Sequence, residues 1–246
     1  MMTKSILFFF SALLFLAQAR GQAGKPGLEI THLTGNLYVY TTYHLYEGEP
    51  VSSNSMYLVT GKGIILFDVP WDTTQRQPLL DSLYARHHQK PVLCIATHFH
   101  EDRTGALDFL NQHGVATWSS RLTYELCLQN HQQRAAHVFD KDTSFTVGGY
   151  TVRTFYPGEG HTRDNIVIWC AADQVLYGGC LIKSTEAEGL GYTGDANLAD
   201  WPQTMRRLMK EFPHPKYVIP GHQSWADNRS IAHTLQLLEQ AAKQKS

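Results

Sequence analysis

Residues 91–102 read Pro91-Val92-Leu93-Cys94-Ile95-Ala96-Thr97-His98-Phe99-His100-Glu101-Asp102. The first six are a short apolar run of the kind found in a strand buried on both faces, as in the parallel part of an α/β sheet. The chain then delivers three metal-capable side chains within five residues. Held extended, His98 and His100 are two apart and project to the same side. A short turn brings the Asp102 carboxylate into the same space. Imidazole nitrogen and carboxylate oxygen both suit Zn²⁺. The chain holds 13 histidines in 246 residues, so its own composition gives roughly a 3% chance of one such pattern. The motif therefore needs company before it carries weight.

Three further residues supply it. His161 stands in Gly158-Glu159-Gly160-His161-Thr162, after a strand expected over Tyr150–Tyr156. Cys180 stands in Gly178-Gly179-Cys180, after Val175-Leu176-Tyr177, and His222 in Pro220-Gly221-His222, after Tyr217-Val218-Ile219. Each follows an expected strand, and each has a glycine immediately before it, the residue that lets a backbone turn sharply or approach a site closely. Four strand ends thus offer six donors, enough for two tetrahedral-like zinc sites.

Outward from these motifs the chain reads as alternating strands and helices. Leu37–Tyr40, Ser55–Val59 and Gly63–Phe67 are β-branched and aromatic runs bounded by turns, and Thr73–His87 carries apolar residues at helical spacing. Helices are expected over Thr104–Gln112, Arg121–Gln132, Leu198–Glu211 and Asp227–Lys243, the last capped by Asp227. Strands fill Ser144–Leu181, Asn165–Trp169 among them, and recur at Lys216–Ile219. Strands and helices in both halves suggest an α/β chain with two face-to-face sheets covered by helices. No linker divides residues 22–246, which are expected to form one domain.

Residues 1–21 read differently. Lys4 precedes the apolar run Ile6–Leu16, and small residues follow at Ala17-Gln18-Ala19 and Ala19-Arg20-Gly21. That run is short for a bilayer span, so a cleaved secretory signal is expected, with the periplasm as compartment in a Gram-negative cell. Its removal takes away Lys4 and Arg20 and no acid, moving the formal charge from -1 to -3. No other stretch suits stable membrane association, and 21 Lys+Arg against 22 Asp+Glu gives a poor profile for nucleic acid. Four cysteines are too few for a disulfide scaffold. Cys94, Cys127 and Cys170 are expected as core thiols, with a disulfide among them left open. His87, His88, His113, His131, His137, His214 and His233 are expected on the surface.

The set His98-x-His100-x-Asp102, His161, Cys180 and His222 resembles the metallo-β-lactamase superfamily, subclass B1, over about Leu28 to Lys243. Related hydrolases such as glyoxalase II usually place a histidine where Arg103 stands and an aspartate where Cys180 stands. Subclass B2 has asparagine in place of His98. The resemblance implies an αββα sandwich with His98, His100 and His161 on one zinc and Asp102, Cys180 and His222 on a second. It also implies opening of the β-lactam ring of penicillins, cephalosporins and carbapenems by metal-bound hydroxide that Asp102 helps to position. Lys183, three residues after Cys180, matches the lysine that binds the substrate carboxylate. Tyr192 falls where the family commonly has an asparagine that polarises the carbonyl, a departure from the pattern. The segment 41–53 resembles a flap over the groove, with Tyr43, Leu45, Tyr46 and Val51 able to cover apolar substituents. Residues 185–197 form the opposite wall, and Trp71 is a further substrate-contact candidate. Asp68, Arg103, Asp164 and Asn165 are expected to support the ligands. A hydrolase of the same fold acting on an ester, lactone or thioester is the alternative reading, and a zinc-buffering protein a more distant one. A monomer is expected.

Overall fold

The computed structural model describes residues 27–244; the expected secretory segment lies outside them. Seven strands form the first sheet: β1 (Glu29–Thr34), β2 (Leu37–Tyr46), β3 (Glu49–Thr60), β4 (Gly63–Phe67), β5 (Pro91–Ala96), β6 (Ala116–Ser120) and β7 (His137–Phe139), in that spatial order. β1 to β4 pair antiparallel, and β4 to β7 pair parallel. The parallel part is reached through crossovers that carry α1 (Arg76–His87), α2 (Glu101–Thr104), α3 (Leu107–Gln112) and α4 (Arg121–Gln129). The second sheet contains β8 (Ser144–Val147), β9 (Tyr150–Phe155), β10 (Val167–Cys170), β11 (Val175–Gly179) and β12 (Tyr217–Pro220), ordered β12-β11-β10-β9-β8. Only β11 and β12 run parallel, connected through α5 (Trp201–Glu211). The chain ends in α6 (Ser230–Lys243).

The alternation of side chains along each strand builds the layers. Ile65 and Phe67 of β4 face Tyr177 and Ile168 of the second sheet in one buried cluster, while Ile64 and Leu66 face α1 and α3 through Leu79, Leu83, Leu107 and Leu110. On the far side, Leu176 and Val218 pack beneath α5 and α6 against Trp201, Met205, Leu208 and Leu238. Three apolar seams therefore separate four layers, helix–sheet–sheet–helix. Each fully buried large side chain contributes roughly 1.5–3 kcal/mol.

Several sequence expectations change. The segment 41–53 is not an open loop: β2 and β3 pair from Leu37↔Leu58 to Tyr46↔Glu49. Glu47 (φ 52°) and Gly48 (φ 88°) close the hairpin, and positive φ at both turn residues matches the twist of the flanking strands. The helix expected over 104–112 is two helices, because Gly105 closes α2 where a Cβ would lie 2.7 Å from the Glu101 carbonyl oxygen. Asp227 does not cap α6, which starts at Ser230; its carboxylate instead accepts the Arg229 N–H at 2.8 Å. The strand expected from Asn165 begins at Val167, because Asn165 is spent on the turn before it, accepting the Thr162 N–H at 3.1 Å. β1, β6 and β7 were not anticipated; they are short, and β1 and β7 are sheet edges. All four cysteines are free and buried, so no disulfide joins Cys94, Cys127 and Cys170.

Candidate metal centre

The donors converge where the ends of β5, β9, β11 and β12 meet, so both sheets contribute. His98 and His100 follow β5, and α2 begins directly after them with Glu101 and Asp102 in its first turn. His161 follows β9, Cys180 follows β11 and His222 follows β12. Gly179 sits at φ +53°, the conformation that turns the chain off β11 and aims Cys180 inward. Gly221 is needed for space: a Cβ there would lie 2.6 Å from the Cys180 amide nitrogen and 2.7 Å from the Gly179 carbonyl carbon.

Two donor sets result. His98, His100 and His161 each offer a nitrogen within 4.8 Å of the others. Their rings stand nearly perpendicular, with centroids 4.9–5.2 Å apart, and His100 Nδ1 lies 3.1 Å from His161 Nε2. In the second set, Asp102 Oδ2, Cys180 Sγ and His222 Nε2 stand 3.1–3.3 Å from one another. His98, Asp102 and Cys180 also fall within 4.8 Å, which joins the sets.

Burial and charge favour a cation here. His98 is 1% exposed and its Nε2 has no hydrogen-bond partner, a cost that a metal ion would remove. Burial, with the neighbouring imidazoles and Arg103, holds His98 well below the usual histidine range. Burial and the Lys183 ammonium do the same for His161, so both rings are neutral lone-pair donors. Burial alone would raise Asp102, but Arg103 and His222 hold its carboxyl well below the usual range. Burial opposes charge on His222, yet Cys180 and Asp102 push it up to about 9. The negative field of that pair captures a proton, as it would a metal. The histidine tautomers agree with ligation. His222 Nδ1 is 2.6 Å from the Ser52 carbonyl oxygen, which leaves Nε2 facing Asp102 and Cys180. His100 Nε2 is 3.0 Å from Asp195 Oδ2, which leaves Nδ1 facing His161. Nitrogen, carboxylate and thiolate donors in two groups of three suit Zn²⁺.

Arg103 underlies the second set. It is fully buried, with one terminal nitrogen 3.0 Å from Asp102 Oδ2 and 3.1 Å from Cys180 Sγ. The other donates to the Asn54 carbonyl at 2.7 Å and reaches the Tyr177 hydroxyl at 2.9 Å. Asp68, at φ 63° beyond β4, accepts the Thr97 N–H at 2.7 Å, its hydroxyl at 2.8 Å and the Tyr177 hydroxyl at 2.6 Å. It thereby braces the residue before His98. Burial pushes the Asp164 carboxyl up, and the nearby Thr162 and Thr123 hydroxyls offset this only in part.

The remaining candidates surround this cluster unequally. Lys183 is 9% exposed, with Nζ 5.4 Å over the Trp201 ring. Burial lowers its pKa while Cys180 and Asp102 raise it, so its ammonium lies in their field. The Trp71 ring stands 6.1 Å from that of His222 and stacks on His44 at 4.6 Å. Tyr192 stands 5.7 Å edge-on to His100. Tyr46 is exposed at the hairpin tip. Tyr43 is engaged elsewhere, its hydroxyl donating to Glu29 of β1 at 3.0 Å. Sequence reasoning missed Asp195, Ser52 and Tyr177. The first two lie 95 and 170 residues from the histidines they orient, beyond the reach of any spacing rule, and Tyr177 reads as ordinary core.

Comparisons with known proteins agree with this geometry. Residues 48–222 match the family described as "Metallo-beta-lactamase superfamily". The "Metallo-beta-lactamase type 2" of Elizabethkingia meningoseptica is 41% identical over 222 residues, covering 90% of this chain and 89% of that protein. "Metallo-beta-lactamase IND-1" of Chryseobacterium indologenes is 38% identical over 237 residues, covering 96% and 99%. Among solved structures, a metallo-beta-lactamase from Pontibacter korlensis superposes with a TM-score of 0.83 at 34% identity, covering 86% of this chain and 99% of that one. Metallo-beta-lactamase IND-7 gives 0.84 at 38%, covering 86% and 98%.

Proposed function

This chain belongs to the metallo-beta-lactamase superfamily, with relatives of subclass B1, and from that premise we propose that it is a zinc-dependent hydrolase that opens the β-lactam ring. Its substrates are penicillins, cephalosporins and carbapenems, and its product is the ring-opened acid, so the activity confers resistance. The observation that supports this reading most directly is the three-histidine set beside a set containing Cys180, with donors 3.1–3.3 Å apart. His98, His100 and His161 would hold one Zn²⁺, and Asp102, Cys180 and His222 would hold a second. Bound there, zinc supplies Lewis acidity and lowers the pKa of water towards 7.

The chain's own groups do the rest. Asp102, kept ionised by Arg103 and His222, accepts a hydrogen bond from the attacking water and aims it at the lactam carbonyl carbon. The water oxygen bonds to the carbonyl carbon, the ring C–N bond breaks, and the proton that the water gives up ends on the departing nitrogen. Lys183 pairs with the carboxylate that these substrates carry beside the ring. Tyr46, Trp71 and Tyr192 wall the groove, with Tyr43 at the root of the flap. The protein is made with a leader at 1–21, residues 22–246 form the mature domain, and it works in the periplasm as a monomer. Among the described residues no helix is long and apolar enough to cross a membrane.

The test is ring opening of a penicillin and a carbapenem by purified protein, followed by absorbance, with and without a chelator. Hydrolysis that chelation abolishes and Zn²⁺ restores is expected. No chelator-sensitive opening of either compound would overturn the assignment.

A further inference from the structure

The β2–β3 hairpin extends beyond its neighbours in the sheet. β1 pairs with β2 only as far as Thr41, and β4 pairs with β3 only from Met56. Past those points Tyr43 stands opposite Ser52, and among the described residues no further strand pairs with either edge. Two strands alone are at best marginally stable in water. On the β2 edge a side chain takes the place of the missing strand. Gln75 ends the 3₁₀ turn Thr73–Gln75 that leads into α1, and it is 5% exposed. Its side chain makes no cap to the helix. Instead its Oε1 accepts the Tyr43 N–H at 3.1 Å and its Nε2 donates to the Tyr43 carbonyl at 3.0 Å. Only one orientation of the amide meets both groups. The same segment backs the residues on either side: the Trp71 N–H reaches the Thr42 hydroxyl at 3.4 Å, and the Trp71 ring stacks on His44.

Opposed residues on antiparallel strands alternate between pairs that bond to each other and pairs whose N–H and C=O groups turn outwards. Tyr43 spends both groups on Gln75, so the Tyr43–Ser52 rung is of the outward kind. The Ser52 carbonyl therefore faces the opposite edge, where it meets His222 Nδ1 at 2.6 Å. Asn54, two residues on, turns the same way and donates to the Gly221 carbonyl at 2.8 Å. Gln75 and His222 thus hold one rung from its two sides. A carbonyl on Nδ1 fixes the tautomer and ring direction of an imidazole whose Nε2 serves a metal. We infer that Gln75 is a positioning residue: by holding Tyr43 from the outer edge it fixes the Ser52 carbonyl against His222, and so sets the affinity of the Asp102, Cys180 and His222 set for its ion. The inference rests on the reading of those three residues as ligands.

The experiment compares Gln75→Met, of similar length but without the amide, with Gln75→Glu, which keeps the acceptor and loses the donor. Leu208→Ala opens a cavity under α5, on the far face of the second sheet, and controls for lost stability alone. Co²⁺ is titrated against a competing chelator and followed by the thiolate-to-Co²⁺ charge-transfer band of Cys180, which reports that set and not the three histidines. In metal-free protein, ¹⁵N NMR of labelled histidine follows the His222 Nδ1 resonance, whose position reports the hydrogen bond to Ser52. Each Gln75 variant is expected to bind Co²⁺ in that set about three- to tenfold more weakly, less than the 10–100-fold typical of losing a group that touches the ligand directly. Each is also expected to shift the Nδ1 resonance, and Leu208→Ala to change neither. Parent affinity or a parent resonance in both Gln75 variants, or equal changes in Leu208→Ala, would overturn the inference. Failure of the underlying ligand reading looks different: Co²⁺ would give no charge-transfer band in the parent protein. The resonance, measured without metal, then still decides whether Gln75 holds the rung.

Discussion

Arg103 and Asp68 show how much charge one buried residue must manage. Arg103 lies between two carboxylates and a thiol, Asp102, Asp68 and Cys180, at 3.0, 3.6 and 3.1 Å. Removing one member of such a network strands the others and typically costs 3–5 kcal/mol. Asp68 is fully buried, and burial pushes its carboxyl up to about 6 although Arg103, Tyr177 and Thr97 pull it down. A carboxyl raised in the folded state favours folding most below its unfolded value near 3.8, and that contribution is lost as pH rises through 6. In chelator-treated protein, the stability of wild type relative to Asp68→Asn should therefore increase by about 2 kcal/mol between pH 7 and pH 4. Urea denaturation across that range measures it, and a pH-independent difference would contradict the assignment. The sequence identified Asp68 and Arg103 as supporting residues from their places at a strand end and beside Asp102. It did not reveal that the Tyr177 hydroxyl bridges them, because a tyrosine in an apolar strand carries no mark of what its hydroxyl reaches.

At the scale of elements, the strand-to-loop corners do the positioning. Gly221→Ala places a methyl group against backbone at Cys180 and Gly179, which cannot move without displacing the thiol. Overpacking of this kind costs about 1–3 kcal/mol. The variant should fold, keep one tightly held metal ion and bind the second more than tenfold more weakly in an equilibrium titration. Two ions held at parent affinity would show that the corner tolerates the change. These corners were legible, since a glycine precedes His161, Cys180 and His222 in the sequence. The β2–β3 hairpin was not. Ser52 to Ser55 is a polar run that resembles a loop, yet residues 53–55 are buried. Asn54 donates from its backbone to the Gly221 carbonyl at 2.8 Å and from its amide to Pro220 and Gln223. A polar strand is stable there because a distant segment satisfies it, and local periodicity cannot see that partner.

For the whole molecule, the four layers followed from the order of strands and helices, while the edge strands β1 and β7 escaped notice because each borrows its pairing from a longer neighbour. The cluster lies across both sheets, so metal binding is also a tie between the two halves of the fold. A ligand held only by the native state stabilises it by about 2.7 kcal/mol at a hundredfold excess over its Kd. For a chain of this size that amounts to about 5–10 °C per ion. Calorimetry with chelator and with Zn²⁺ should show a rise of at least that size, and a midpoint indifferent to metal would count against the assigned donors.

The Ser52 carbonyl that steadies His222 belongs to the same hairpin whose tip carries the exposed Tyr46. Ring orientation at a metal ligand and posture of the covering ribbon are thus two ends of one lever. Whatever presses the ribbon into one pose also biases the imidazole, and by thermodynamic reciprocity an ion gripping that imidazole biases the ribbon equally. A molecule lodged against the ribbon would then slow the escape of any ion that the imidazole grips.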